Sequence, residues 1–293
     1  MLNLIKSEGY KLCKLRSFKI LVVVMIACTI IASMVMWIEN PKRKIDDIRQ
    51  EEMIEEEVAK ECKVIMEKYS MDEEEAYRFI LESGDGIPTN GEEMIIMGVA
   101  NVCAAFIVFA ILAGLFISTE FKSGSLKISV AFGNSRKKLY IAKMLVYYLG
   151  GLILGWIFPI LGGIIISFVC GWGRPLSGEC LLYLFRLLVL GSLLHISALT
   201  VFGATAIATK HIGATIGVGI ALGSLCELLY SFIGLSLFSG MKWQQYFWLA
   251  QYNILLRENI TWAQLIGIVA WGVLVTLVAF IVGLRLFEKA EFE

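Results

Sequence analysis

Six runs of apolar residues divide the chain, at 20–38, 94–118, 140–169, 181–209, 212–238 and 262–286. Each is close to the ~20 residues an α-helix needs to cross roughly 30 Å of hydrocarbon, where every backbone group must be paired within the protein. The pattern predicts an all-α polytopic membrane protein with six transmembrane helices. The first run is too long for the apolar core of a signal peptide and lacks a small-residue cleavage site, so it reads as an uncleaved first span.

The stretches between the runs carry patterns of their own. In 1–19, Leu4, Ile5, Leu12 and Leu15 alternate with lysines, the mark of an interfacial helix on the membrane face. In 39–93, Ile45, Ile48, Ile54, Val58 and Cys62 recur at helical spacing, and a second short helix is expected over 71–83, ended by Gly84-Asp85-Gly86. These predict a small extracellular helical hairpin. Before the last run, 239–261 holds Trp243, Tyr246, Phe247, Trp248 and Tyr252, aromatic rings that favour the headgroup level. A re-entrant segment is expected there. Pro159 is expected to kink the third span. The pairs Gly151/Gly155, Gly213/Gly217 and Gly219/Gly223 predict close helix packing, inside the molecule or against a second copy.

Charge sets the orientation. Hydrophobic residues make up 58% of the 293, charged residues 18%, and the mean hydropathy is +0.74. The net charge of zero is a cancellation: 39–93 holds 18 acidic against 8 basic residues. Lys6, Lys11, Lys14, Arg16 and Lys19 precede the first span, Lys122, Lys127, Arg136, Lys137 and Lys138 follow the second, and Arg285 and Lys289 close the last. The positive-inside rule therefore places both termini and 119–139 in the cytoplasm, with 287–293 as a short tail. Cytoplasmic excess positive charge suits a multi-pass protein of a bacterial plasma membrane, whose inner leaflet is anionic. Nothing points to a nucleic-acid partner. Of seven cysteines only Cys170 and Cys180, bracketing a short outer loop, stand where pairing is conceivable, and no spacing suggests a metal.

The connector 119–139 carries the candidate chemistry. Phe121, Leu126, Ile128, Val130 and Phe132 are set among basic and small residues. Period alone would allow a strand over 126–130, but an isolated strand leaves its backbone unpaired, so a short amphipathic helix is expected. Ser135 is placed to cap the third span, leaving Arg136, Lys137 and Lys138 in a first turn where cations oppose the macrodipole. Lipid phosphates or an acidic partner surface would favour them.

Glu120-Phe121, then Gly124-Ser125-Leu126-Lys127, then Ser135-Arg136 and Lys143, resemble the signature of ABC-2-type exporter permeases. There an acidic–aromatic pair precedes Gly-Thr-x-Lys after the second span; here Ser125 replaces the Thr. The surface helix, the six spans, the aromatic segment and the charged tail are similar as well, and permeases of this size include those of bacitracin and lantibiotic resistance. The large acidic first loop departs from the simplest members. The resemblance implies that the connector docks on a separate cytoplasmic ABC ATPase through Glu120, Phe121, Gly124, Lys127, Ser135 and Arg136. It implies a transport protein that exports an amphipathic or hydrophobic substrate such as an antimicrobial peptide. The chain has no G-x-x-x-x-G-K-[ST] to cradle a nucleotide, so ATP and magnesium are expected on the partner and no cofactor or catalysis on this chain. Two ATPase copies and a second permease copy or paralogue, a dimer in the membrane lipids, complete the expected assembly.

Two ionisable residues fall inside the spans. A charged group at a helix centre costs roughly 2.5–3.5 kcal/mol, so Glu227 and His195 are expected to face the protein interior, lining a translocation path or hydrogen-bonded within the bundle. Two other readings remain open. The chain could be a sensor or signalling module on a permease scaffold, with the acidic loop as detector. An intramembrane enzyme would need clustered catalytic groups beyond these two.

Overall fold

A computed structural model describes residues 1–39, 88, 90–175, 177–234, 248, 250–257 and 259–290, with backbone alone at 39, 122 and 226–234. All regular structure among them is helical. Five helices are long and apolar enough to cross a membrane: Arg16–Ile38, Val102–Phe121, Arg136–Cys170, Gly178–Thr209 and Trp262–Lys289. This is the build of a multi-pass membrane protein. The expected outer hairpin, and 239–247 of the expected re-entrant segment, lie outside the described residues. The expected fifth span is helical over Ile212–Gly234, and its described apolar part, Ile212–Leu225, is shorter than the other five.

The chain forms two compact units. The larger comprises Met1–Ile26, Val99–Phe158 and Leu176–Glu293; the smaller comprises Ala27–Gly98 and Pro159–Pro175. The larger unit holds α1 (Leu2–Lys14), the start of α2 (Arg16–Glu39) and α4 (Val102–Ala113). It continues with α5 (Thr119–Ser123), α6 (Ser125–Ala131) and α7 (Arg136–Trp156). The remaining elements are α9 (Gly178–Thr209), α10 (Ile212–Gly234), α11 (Ala250–Leu256) and α12 (Trp262–Lys289).

α9 is the central element. Two thirds of its apolar window is buried in the protein, against 11% for α2 and for α12. These two helices instead expose Val23, Ile31, Met34, Leu274 and Val278, large apolar side chains suited to acyl chains. Around α9 the core joins Phe106, Phe109 and Phe116 of the second span to Tyr140, Met144 and Tyr147 of α7. Tyr147 donates from its hydroxyl to the Phe109 carbonyl at 2.9 Å, and Tyr140 to that of Phe280 at 3.1 Å. In lipid such interhelical bonds add to van der Waals packing, because apolar burial no longer drives helices together. Gly219 lets α10 lie against α4 so closely that a Cβ there would come within 2.2 Å of Ala110, and Gly223 accepts from the Cys103 thiol at 3.2 Å. Gly151 likewise packs under Leu199. These small-residue pairs serve packing within the chain. Gly213 and Gly217 have no described neighbour within 4 Å of where a Cβ would stand.

The second span differs from the uninterrupted 94–118 expected from its apolar run. It breaks at Asn101, whose backbone leaves the helical region and whose side chain accepts from the Ala104 N–H at 3.3 Å. Asn101 thus starts a new helix, and α3 (Gly91–Ala100) precedes it as a separate element. An Asn inside an apolar run is a capping signal that hydropathy averages away. The span ends in a π-helical turn, Gly114–Ser118. A second such turn, Ile157–Leu161, contains Pro159 and absorbs its missing backbone donor within the continuous apolar stretch Arg136–Cys170.

The smaller unit includes α3 and α8 (Gly162–Cys170). Glu92 and Glu93 sit in the first turn of α3, where carboxylates complement the macrodipole. Arg174 grips Glu92 with two nitrogens, and the Gly91 and Glu92 amides donate to the Gly171 and Trp172 carbonyls, each at 3.1 Å. Cys170 and Cys180 are not joined by a disulfide.

Candidate functional site

The turn after the second span is helical, as the isolated-strand argument requires. α5 and α6 meet at Gly124, whose φ of +66° lies in the left-handed region that glycine enters at little cost. A second left-handed glycine, Gly133, and a bond from the Asn134 amide to the Ser129 carbonyl at 3.1 Å end α6. Ser135 then caps α7, its hydroxyl accepting from the Lys138 N–H at 3.4 Å.

A four-charge cluster sits directly behind this turn. Lys143 of α7 places its ammonium 2.6 Å from Glu8 of α1 and 2.6 Å from Glu120 of α5. Lys11 of α1 lies 2.5 Å from the other oxygen of Glu8 and 3.4 Å from that of Glu120. The side chains of Lys143 and Glu8 are each 1% exposed and that of Glu120 14%. The sum of the four charges is zero, which is what makes their burial tolerable. Lys143 also lies 4.6 Å above the Phe116 ring. Burial pushes the Glu8 carboxyl up, but Lys143 and Lys11 together outweigh this and hold it below its usual range. Burial pushes Lys11 down, while Glu8 and Glu120 outweigh it and hold its ammonium above its usual range.

α1 therefore does more than lie on lipid. Leu12 is buried in the core, Leu4 and Ile5 pack against it, and Glu8 on the same face enters the ion cluster. Met1, Leu2 and Tyr10 remain on the outside.

Arg136 resolves the oddity of cations at a helix start. Its guanidinium donates to the carbonyls of Glu288 at 2.6 Å and Ala290 at 2.9 Å, the unpaired acceptors at the end of α12. It opposes the dipole of its own helix and completes the end of another. Lys137 pairs with the Glu288 carboxylate at 3.5 Å across an exposed surface. Phe121 meets Phe287 of α12 edge-on at 5.9 Å, with Lys210 5.9 Å from its ring.

Of the six residues expected to face a partner, four thus work inside the chain: Glu120, Phe121, Ser135 and Arg136. Gly124 supplies backbone conformation. Lys127 alone points outward, and beside it α6 exposes Ile128 (59%) and Phe132 (83%), one helical turn apart. Exposed Lys137 and Lys138 adjoin them. Among the cluster residues sequence reasoning passed over Glu8 and Lys11. Glu8 is the one acid among the basic residues of 1–19, and Lys143 the one charge in 140–169; each signals a buried partner.

His195 is buried on α9 between Phe109 (5.3 Å) and Trp156 (5.6 Å), its Nδ1 3.3 Å from the Tyr252 hydroxyl of α11. A side chain packed this way is a bundle contact. Glu227 lies on α10 with its side chain outside the described part. Among the described residues no three metal-ligating side chains converge.

Comparison of the chain with family models, with curated proteins and with solved structures finds no match. The functional reading therefore rests on the geometry of the turn and on the resemblance of its residues.

Proposed function

We propose that this chain is the membrane subunit of an ATP-driven exporter, and that α6 is the surface on which a cytoplasmic ABC ATPase pushes. The single observation carrying the reading is the Glu8–Lys11–Glu120–Lys143 cluster. It ties the short turn to the surface helix and to the third span through buried charges, so a displacement of the turn is passed to α1 and α7 together. The exposed Ile128–Phe132 pair with Lys127 beside it has the make-up of a small docking knob, an apolar centre with a basic rim. Arg136 and Phe121 link the same turn to the end of α12, a second route into the membrane domain.

In this reading six spans with cytoplasmic ends form half a pathway in a bacterial plasma membrane. Two copies, or this chain and a paralogue, alternate the exposure of a cavity between them, and each is driven by its own ATPase. The cargo is amphipathic or hydrophobic, an antimicrobial peptide being a fitting class. ATP and magnesium belong to the partner.

The deciding experiment co-expresses the chain with the ATPase encoded nearest to it and measures ATPase stimulation in proteoliposomes. Ile128→Ser with Phe132→Ser should abolish co-purification and stimulation while leaving the permease folded. Co-purification and stimulation at the unmodified level would reject α6 as the docking surface. A chain that never retains an ATPase, yet transports, would reject the exporter reading as a whole.

A further inference from the structure

The C-terminal halves of α9 and α12 enclose an apolar groove of about 380 Å³, within the range of roughly 300–1,000 Å³ common to small-molecule sites. Small residues, Ala204, Thr205 and Ala208 of α9 and Ala279 of α12, form its floor, and Leu274 and Leu286 mark its ends. Its one hydroxyl, on Thr205, is turned away to the Phe202 carbonyl at 2.8 Å. The groove therefore offers only hydrocarbon to its occupant.

Three features identify that occupant. From Leu274 to Leu286 the groove runs about 18 Å at 1.5 Å per residue, a little over half of a hydrocarbon core roughly 30 Å thick. It is as long as one leaflet is deep. It is shallow and lined by apolar side chains along that whole length, which suits an extended acyl chain. Finally, charge gathers at one end only. At 3.6 residues per turn, Lys289 and Arg285 fall about 20° and about 60° from the centre of the lining arc of α12. Both are exposed, and neither has an acidic partner among the described residues. Glu288 points about 120° away, toward Lys137.

We propose that this groove binds one anionic phospholipid of the inner leaflet, an acyl chain lying along α9 and α12 and the phosphate held by Arg285 and Lys289. The lipid lies in the surface seam where α9 and α12 pack together. The site stands apart from the exporter reading: it requires only that α9 and α12 lie in the bilayer.

The test uses the full chain reconstituted with a phosphatidylglycerol analogue bearing a diazirine in its acyl chain. Photolabelling should concentrate on 201–208 and 274–286. Labels spread evenly over the exposed faces of α2, α7 and α12 would overturn the site. In native mass spectrometry after delipidation, phosphatidylglycerol should be retained roughly 30-fold more tightly than phosphatidylcholine, about fivefold for each of two interfacial cations. Arg285→Gln with Lys289→Gln should abolish that preference. Ala208→Phe should lower retention of both lipids without changing oligomeric state. Equal retention of the two lipids by the unmodified chain would overturn the anionic site, and a change of oligomeric state in Ala208→Phe would assign the groove to a second copy.

Discussion

Two ion-paired sites tie separate elements together in this protein, and they differ in what they exclude. In the smaller unit Arg174 holds Glu92 at the start of α3, but its own side chain is 43% exposed and water reaches it. In the larger unit Lys143 and Glu8 are 1% exposed, and four charges from three helices must satisfy one another. The first clamps a loop to a helix. The second reinforces the apolar packing of α1 and α5 on α7, because a charge withdrawn from it would be left unpaired in a medium that cannot solvate it. Closed networks of this kind respond to any displacement of one member.

Lys143→Ala tests this contrast most severely. It leaves Glu8 and Glu120 with only the half-exposed Lys11 between them and should cost about 3–5 kcal/mol of stability in detergent unfolding. The double variant Glu8→Gln with Lys143→Gln should lose markedly less than the sum of the single changes; strict additivity would show that the four charges do not act as one unit. Arg174→Ala should cost less, about 1–2 kcal/mol, since water can replace part of its contact with Glu92. An equal loss at both sites would erase the distinction drawn here.

Arg136→Ala should cost about 1 kcal/mol and fray the last turn of α12, seen as faster amide exchange over 285–290. Arg136→Lys, with one donor group in place of a fork, should restore part of that protection. The acid–base response is the gentlest probe. The lowered Glu8 carboxyl stabilises the docked α1 above its ordinary value of 4.5 and loses that contribution as pH falls through its folded value. The raised Lys11 ammonium contributes below its ordinary 10.5 and loses it as pH rises through its folded value. Amide protection of α1 should therefore be level across neutral pH and fall at both extremes. A decline between pH 6 and 8, well inside both ordinary values of 4.5 and 10.5, would contradict the assignment of these charge states.

Much of this was visible in residue order. The apolar runs located the five long spans, the helical reading of 125–131 held against its strand-like alternation, and Ser135 stood where a cap was expected. The break at Asn101 was not seen, because one polar residue barely lowers the hydropathy of the run around it. Nor was the direction of Glu120 and Arg136. Both were expected at a partner surface, and both turn inward, while Ile128 and Phe132 take the outward face. His195 was visible as an intramembrane polar residue, but only the packing of Phe109, Trp156 and Tyr252 around it shows a bundle contact.

Local order was enough to decide which segments are helical and apolar, since a backbone in lipid has few ways to satisfy itself and each depends on a window of about 20 residues. Which charges meet was a different matter. Glu8 is separated from Glu120 and Lys143 by more than a hundred residues of chain, and no local pattern encodes their pairing. Only the packing of α1 and α5 against α7 brings them within 3 Å, and burial then turns weak surface charges into a closed network.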